Sequence, residues 1–169
     1  MIPRNDKSAA VFLDRDGTRL QKLTPGGAPV WSRGPFGFGD PDGLYSASGV
    51  ATAPNGEIFV ANSNGRNVVV FSPGGTVARR FGSDGTGDGQ FKRPTGIVVD
   101  DGSVYVLDQN RGDVQRFTLD GGFVSKFGAP GGGPGEFLDP RGIAADGRGS
   151  LYVLDAGNAR VVVFGRDGS

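Results

Sequence analysis

Gly96-Ile-Val-Val-Asp-Asp-Gly-Ser-Val-Tyr-Val-Leu-Asp108 is the stretch whose reading decides the fold. Gly96 to Asp100 is a short apolar run rich in β-branched residues, suited to a strand buried on both faces. Asp101-Gly102 is a tight-hairpin signal, because glycine accepts positive φ. Val104 to Asp108 is then the returning strand. Outward from it, Gln109 to Gly112 makes the next turn and Val114 to Phe117 is a third strand with one wetter face. Asp120-Gly-Gly122 turns into Phe123 to Phe127, the outermost strand. Gly128 and the loop from Ala129 to Phe137 cross to the next unit.

The same unit recurs. Asp108 has counterparts in Asp14, Asn62 and Asp155, at intervals of 48, 46 and 47. Leu23, Phe71, Phe117 and Phe164 keep the same step, and Gly49, Gly96 and Gly142 follow at 47 and 46. Three markers in one register predict an all-β, β-propeller array of four-stranded antiparallel blades. It runs as a single domain over 1–169, with units at about 1–34, 48–82, 95–128 and 141–169. The fourth unit stops before its outermost strand. The first is degenerate but legible in Ala10 to Leu13, Leu20 to Leu23 and Ala28 to Arg33, with Ile2 in the register of Ile143.

Composition agrees and excludes much. The 32 glycines and 11 prolines fall mostly at fixed places in the repeat, so they mark turns and not disorder. Lys plus Arg equals Asp plus Glu at 18 each, leaving no basic stripe for a phosphate backbone, so nucleic acid is not an expected partner. Zero cysteines removes disulfides and thiolate chemistry. Zero histidines removes the commonest general base, the commonest zinc ligand and the Ser-His-Asp arrangement. Residues 1–7 hold no signal-peptide core and no stretch approaches a membrane span, so a soluble chain without membrane partners is expected.

The segments Gly135-Glu-Phe137, Pro140-Arg-Gly-Ile143, Leu151 to Asp155, Asn158 to Val161 and Phe164 resemble NHL repeats. So do Gln90-Phe91, Pro94-Thr-Gly-Ile97 and Tyr105 to Asp108. The resemblance covers the chain, strongly from residue 49 onward, and implies a propeller of six or sometimes five blades. The pattern departs at Asp113 and Asn67, where the fourth unit has Arg160, and the first unit lacks Pro-x-Gly-Ile. Six blades at this period need roughly 280 residues. Three arrangements fit: part of a longer propeller, a protomer whose ring a second copy completes, and a strained four-bladed ring. The first two are favoured, because an eroded first strand and a missing last strand leave poorly protected edges.

Four groups of residues invite functional readings. Asp14, Asn62, Asp108 and Asp155 end the second strand of each unit and are weak candidates for a cation site; the favoured reading is that each caps its own following turn. The glycine-rich loops 83–89 and 129–135 lack the endings of a phosphate loop or an EF-hand. The crossover from Trp31 to Tyr45 is unusually aromatic, and Trp31, Arg33, Phe36, Phe38 and Tyr45 are the candidate ligand- or partner-binding residues, with a plugged irregular junction as the alternative. The loop arginines, Arg66, Arg79, Arg80, Arg93, Arg111, Arg141 and Arg160, are expected to be solvated or paired.

Catalysis is disfavoured and no cofactor is expected. The histidine-bound metal of NHL-like amidating lyases has no ligands here. A calcium-dependent lactonase-like hydrolase remains an alternative, although only Glu57 and Glu136 supply glutamate. The expected function is a non-catalytic scaffold recognising protein, peptide or glycan, with itself as partner in a homodimer or other homo-oligomer. A fragment of a larger NHL sensor domain is the other alternative.

Overall fold

The structure is a computed structural model that describes residues 9–14, 16–36 and 43–169. Its strands form four consecutive antiparallel meanders. Blade I consists of β1 (Ala10–Leu13), β2 (Leu20–Leu23) and β3 (Pro29–Arg33). Blade II holds β4 (Ala47–Thr52), β5 (Ile58–Asn62), β6 (Asn67–Phe71) and β7 (Val77–Phe81). After two short strands, β8 (Ser83–Asp84) and β9 (Gln90–Phe91), blade III holds β10 (Pro94–Asp100), β11 (Ser103–Asp108), β12 (Asp113–Thr118) and β13 (Phe123–Phe127). The short strands β14 (Ala129–Pro130) and β15 (Glu136–Phe137) then lead to blade IV, with β16 (Pro140–Ala145), β17 (Ser150–Asp155) and β18 (Arg160–Gly165).

The all-β propeller architecture read from the repeat is what the chain adopts, and blade IV has three strands. Blade I also shows three, because the register of its first strand falls on residues outside those described. The glycine-rich crossovers are more ordered than plain loops. Each closes on itself through a two-residue parallel pair, Ser83 with Gln90 and Ala129 with Glu136. Among the described residues no helix is long and apolar enough to cross a membrane.

Side-chain alternation along each strand gives every blade two apolar faces, and the core lies in the seams between blades. One cluster joins Leu20 to Val60, Val69 and Phe71 between blades I and II. A second joins Phe59, Ala61, Val68 and Val70 to Val104, Val106 and Phe117 between II and III. A third joins Tyr105, Leu107 and Val114 to Leu151, Val153 and Phe164 between III and IV. The phenylalanine ladder has a fixed surrounding. Phe117 meets Phe81 of the previous blade's outer strand and Phe91 of the crossover, with centroids 5.0 and 5.7 Å away. Phe164 meets Phe127 and Phe137 at 4.8 and 5.6 Å.

The third strand of blade III differs from the expected wet face. Gln115 is fully buried, accepting from the Gly89 amide at 2.9 Å and donating to the Gln90 carbonyl at 2.7 Å. Crossover carbonyls that no strand can pair need such a partner, and a buried amide supplies it.

The innermost strands β4, β10 and β16 lie side by side. Gly49 and Gly96 permit this approach, since a Cβ on Gly49 would sit 2.9 Å from the Thr95 carbonyl oxygen and one on Gly96 2.9 Å from Ile143 Cγ2. Gly142 occupies the same register with nothing within 4 Å. Blade IV accordingly presents Tyr152, Leu154, Val161 and Val163 to solvent at 38, 48, 57 and 55 % exposure. Their counterparts in blade II, Phe59, Ala61, Val68 and Val70, are all fully buried by blade III.

Candidate functional site

Three of the four residues that end the second strands also fasten the incoming crossover, a role the expectation of turn capping did not include. Asn62 Oδ1 accepts from the Tyr45 amide at 2.6 Å. Asp108 accepts from the amides of Lys92 (2.6 Å) and Arg93 (3.0 Å), and also from Asn110 and Arg111 in its own turn. Asp155 accepts from the Leu138 amide at 2.7 Å, from Asn158 Nδ2 at 2.7 Å and from Arg160 Nε at 3.0 Å. Asp14 and Asp108 do cap their own following turns, Asp14 accepting from Thr18 and Arg19. A carboxylate in this place fastens the chain as it enters a blade to the strand two places on. Burial raises the Asp155 carboxyl, but the hydrogen bonds from Asn158, Leu138 and Arg160 outweigh it and hold the group below its ordinary range. Among the described residues no group of three or more His, Cys, Asp or Glu is placed to hold a metal ion.

The departure from the repeat at Asp113 is a local exchange. In blade IV the Arg160 guanidinium binds the carbonyls of Gly133 and Glu136, both at 2.8 Å. In blade III, Arg111 reaches the equivalent carbonyls of Gly87 and Gln90, both at 2.7 Å. Asp113 stands where the arginine would, and grips Arg111 in an ion pair of 2.7 Å with both side chains under 10 % exposed. Burial pushes the Asp113 carboxyl up, against the pull of Arg111.

The aromatic crossover is built into the seam between blades I and II. Trp31 Nε1 donates to the Pro73 carbonyl at 3.1 Å, in the place where Arg79 of blade II donates to the Leu119 carbonyl. Arg33 donates from Nε to Gly75 and from Nη2 to Gly74, and lies over the Trp31 ring. It replaces the Phe81 and Phe127 of later blades, while Leu44 replaces Phe91 and Phe137. Phe36 fills the space this leaves, its ring 6.3 Å from that of Phe71. Tyr45 sits at the Asn62 clamp, and Phe38 lies outside the described residues. Each of the four described candidates therefore has a place in the blade I–II junction.

The two glutamates are engaged. Glu57 forms a 2.5 Å ion pair with Arg79 and accepts from Asn55, and Glu136 accepts from the Gly133 amide of its own loop. Most loop arginines pair as expected: Arg66 with Asp84, Arg111 with Asp113, Arg141 with Asp139 and Arg160 with Asp155.

Arg93 is different. Its guanidinium makes no hydrogen bond among the described residues, and it lines a cavity of about 260 Å³ together with Ser48, Thr95, Gln109 and Arg141. The cavity lies where the neighbouring inner strands β4, β10 and β16 begin. Ser48, Thr95 and Arg141 share one repeat position, each just before a ladder glycine, but the three side chains differ in type and Arg93 and Gln109 come from other positions, so no single residue pattern marks the cavity.

The model of a family described as 6-bladed beta-propeller matches residues 48–119 and again 97–169. The chain belongs to this 6-bladed beta-propeller family. Solved structures share the propeller fold at low identity. The streptogramin B lyase structure superposes with a TM-score of 0.68 at 17 % identity, over 99 % of this chain and 55 % of the other. A protein of unknown function from Bacteroides caccae gives 0.64 at 15 %, over 96 % and 54 %. Glutaminyl cyclase from Myxococcus xanthus gives 0.56 at 14 %, over 87 % and 57 %. This propeller chain thus spans about half the length of the structures it matches. No curated protein matches its sequence.

Proposed function

We propose that this chain is a non-catalytic propeller scaffold, of NHL-type repeats, that recognises protein, peptide or glycan, and that a second copy completes its ring. The observation that carries the reading is the flank of blade IV. Gly142 keeps open a close approach that nothing makes, beside four apolar side chains whose equivalents elsewhere are covered by the next blade. What fits there is the back face of another blade.

The chain owns such a face. On blade I, Ala10, Phe12 and Leu23 occupy the positions that Val104, Val106 and Phe117 present to blade II. Phe12 is 50 % exposed and the neighbouring Val30 47 %. Two copies joined head to tail at both flanks bury both faces and close with two-fold symmetry, giving eight blades, within the range propellers adopt. The absence of cysteine allows a clean test. Phe12→Cys and Leu154→Cys, mixed under oxidising conditions, form an intermolecular disulfide; a chain that stays uncrosslinked at high concentration contradicts the reading.

The six-bladed family and the half-length match favour a second reading, in which two further blades of the same polypeptide cover that flank. Against a hydrolase stand the engagements of Glu57 and Glu136 and the use of the Asp108 and Asp155 oxygens on backbone and neighbouring side chains.

A further inference from the structure

We infer that the cavity at the start of the inner strands is a binding site for a small oxyanion, a carboxylate or phosphate group. The inference rests on the scaffold reading above and not on ring completion, since all five lining residues belong to blades II, III and IV of one chain.

Its chemistry is one-sided. Two guanidinium groups, two hydroxyls and one amide line it, and no lining side chain is acidic or apolar. Arg93 is exposed, and its guanidinium is the one on this wall that no described residue engages. Its backbone amide is bound to Asp108, so the clamp that fixes the crossover also fixes the start of the Arg93 side chain. Thr95, on the same wall, carries a buried hydroxyl with no hydrogen-bond partner. Ser48 donates to the Thr95 carbonyl at 3.2 Å and lies 2.6 Å from the Ser63 hydroxyl, which holds it at the rim.

The remaining two residues are bridged by one acid. Asp139 accepts from Arg141 Nε and Nη2, at 2.9 and 2.7 Å, and from Gln109 Nε2. These bonds, Arg141 first and Gln109 next, hold the Asp139 carboxyl below its ordinary range, with Arg93 adding to the pull. The acid therefore orients Arg141 and Gln109, while Arg93 feels its charge without a hydrogen bond to it. A planar oxyanion at this wall meets the paired donors of the Arg93 guanidinium, the geometry in which arginine recognises carboxylate and phosphate, with Arg141 Nη1 as a further donor. At about 260 Å³ the space takes a group of few atoms, such as a short dicarboxylate, inorganic phosphate or the carboxylate end of a peptide.

The test is calorimetric titration of the wild-type chain with succinate, with inorganic phosphate, and with triglycine in its free-acid and amidated forms. At least one anionic probe binds, and the amidated peptide does not. Tighter binding of the free-acid peptide than of succinate identifies a chain terminus as the source, and the reverse identifies a free metabolite. Arg93→Gln, at an exposed side chain whose guanidinium makes no hydrogen bond with the described residues, folds normally and weakens binding at least tenfold. Asp139→Asn retains one acceptor oxygen for Gln109, releases the Arg141 guanidinium to the anion, removes the competing charge and tightens binding severalfold. Lys126→Gln, a cation away from the cavity, leaves binding unchanged. No binding by any probe, or equal losses in Arg93→Gln and Lys126→Gln, overturns the site. Light scattering on the same samples separates the two claims: a dimer that binds no anion refutes this inference alone, and a monomer that binds refutes ring completion alone.

Discussion

Gly96 faces Ile143 across the seam between two innermost strands, with room for a hydrogen and not for a methyl group: a Cβ there would lie 2.9 Å from Ile143 Cγ2. Gly142, one blade on, has the same place in the repeat and no neighbour within 4 Å. A difference in mutational cost follows. Gly96→Val forces blades III and IV apart and destabilises the array by about 1–3 kcal/mol. Gly142→Ala leaves the melting of isolated chains unchanged or slightly raised, because it removes backbone freedom from the unfolded state, and weakens assembly instead. Thermal melts and assembly measurements on both variants check the pair.

Asp108 collects backbone amides from two segments of the chain while fully buried. Asp108→Ala leaves those donors without an acceptor and costs about 3 kcal/mol or more in denaturant titration. Asp108→Asn keeps one acceptor oxygen, as Asn62 does for Tyr45, and costs less than half as much.

Arg79 bonds Glu57 and, with help from Asn55, pushes its carboxyl down from 4.5 to about 2. Since the folded value is depressed, the pair's contribution is present above pH 4.5 and is lost as pH falls towards 2. Glu57→Gln therefore melts at lower temperature than wild type at pH 7. The gap closes between about pH 4.5 and 2. A gap that stays constant across that window refutes the ion pair as its cause.

These contrasts show what the sequence made legible. Strand positions, the glycine ladder and the short fourth blade follow from periods of two and of about 47, which apolar burial imposes on every unit. The clamp was half legible. Asp14, Asn62, Asp108 and Asp155 stand out by recurrence, but the crossover partners of Asn62, Asp108 and Asp155 lie 15 to 17 residues upstream, where no local turn rule looks. The Arg111–Asp113 exchange was hidden, because a long guanidinium reaches the same carbonyls from a different register. The aromatic crossover read as a surface feature, since the loss of ring partners around Phe71 becomes visible only once the seams are seen.

Trp31 provides a check on that last point. Trp31→Phe loses the bond to Pro73 while keeping the ring, and should cost about 1 kcal/mol in stability. If it leaves stability unchanged and alters recognition of a partner, the residue belongs to a binding surface and not to the seam.

The central claim is that blade IV's open face is covered by a second copy. Its most direct test is the mass in solution, by light scattering across a concentration series, of wild type and of Val161→Glu/Val163→Glu. Wild type is predicted at twice 17.4 kDa over the working range, and the charged variant at 17.4 kDa with its strand content intact. A wild-type chain that remains a folded 17.4 kDa monomer at every concentration would contradict the account.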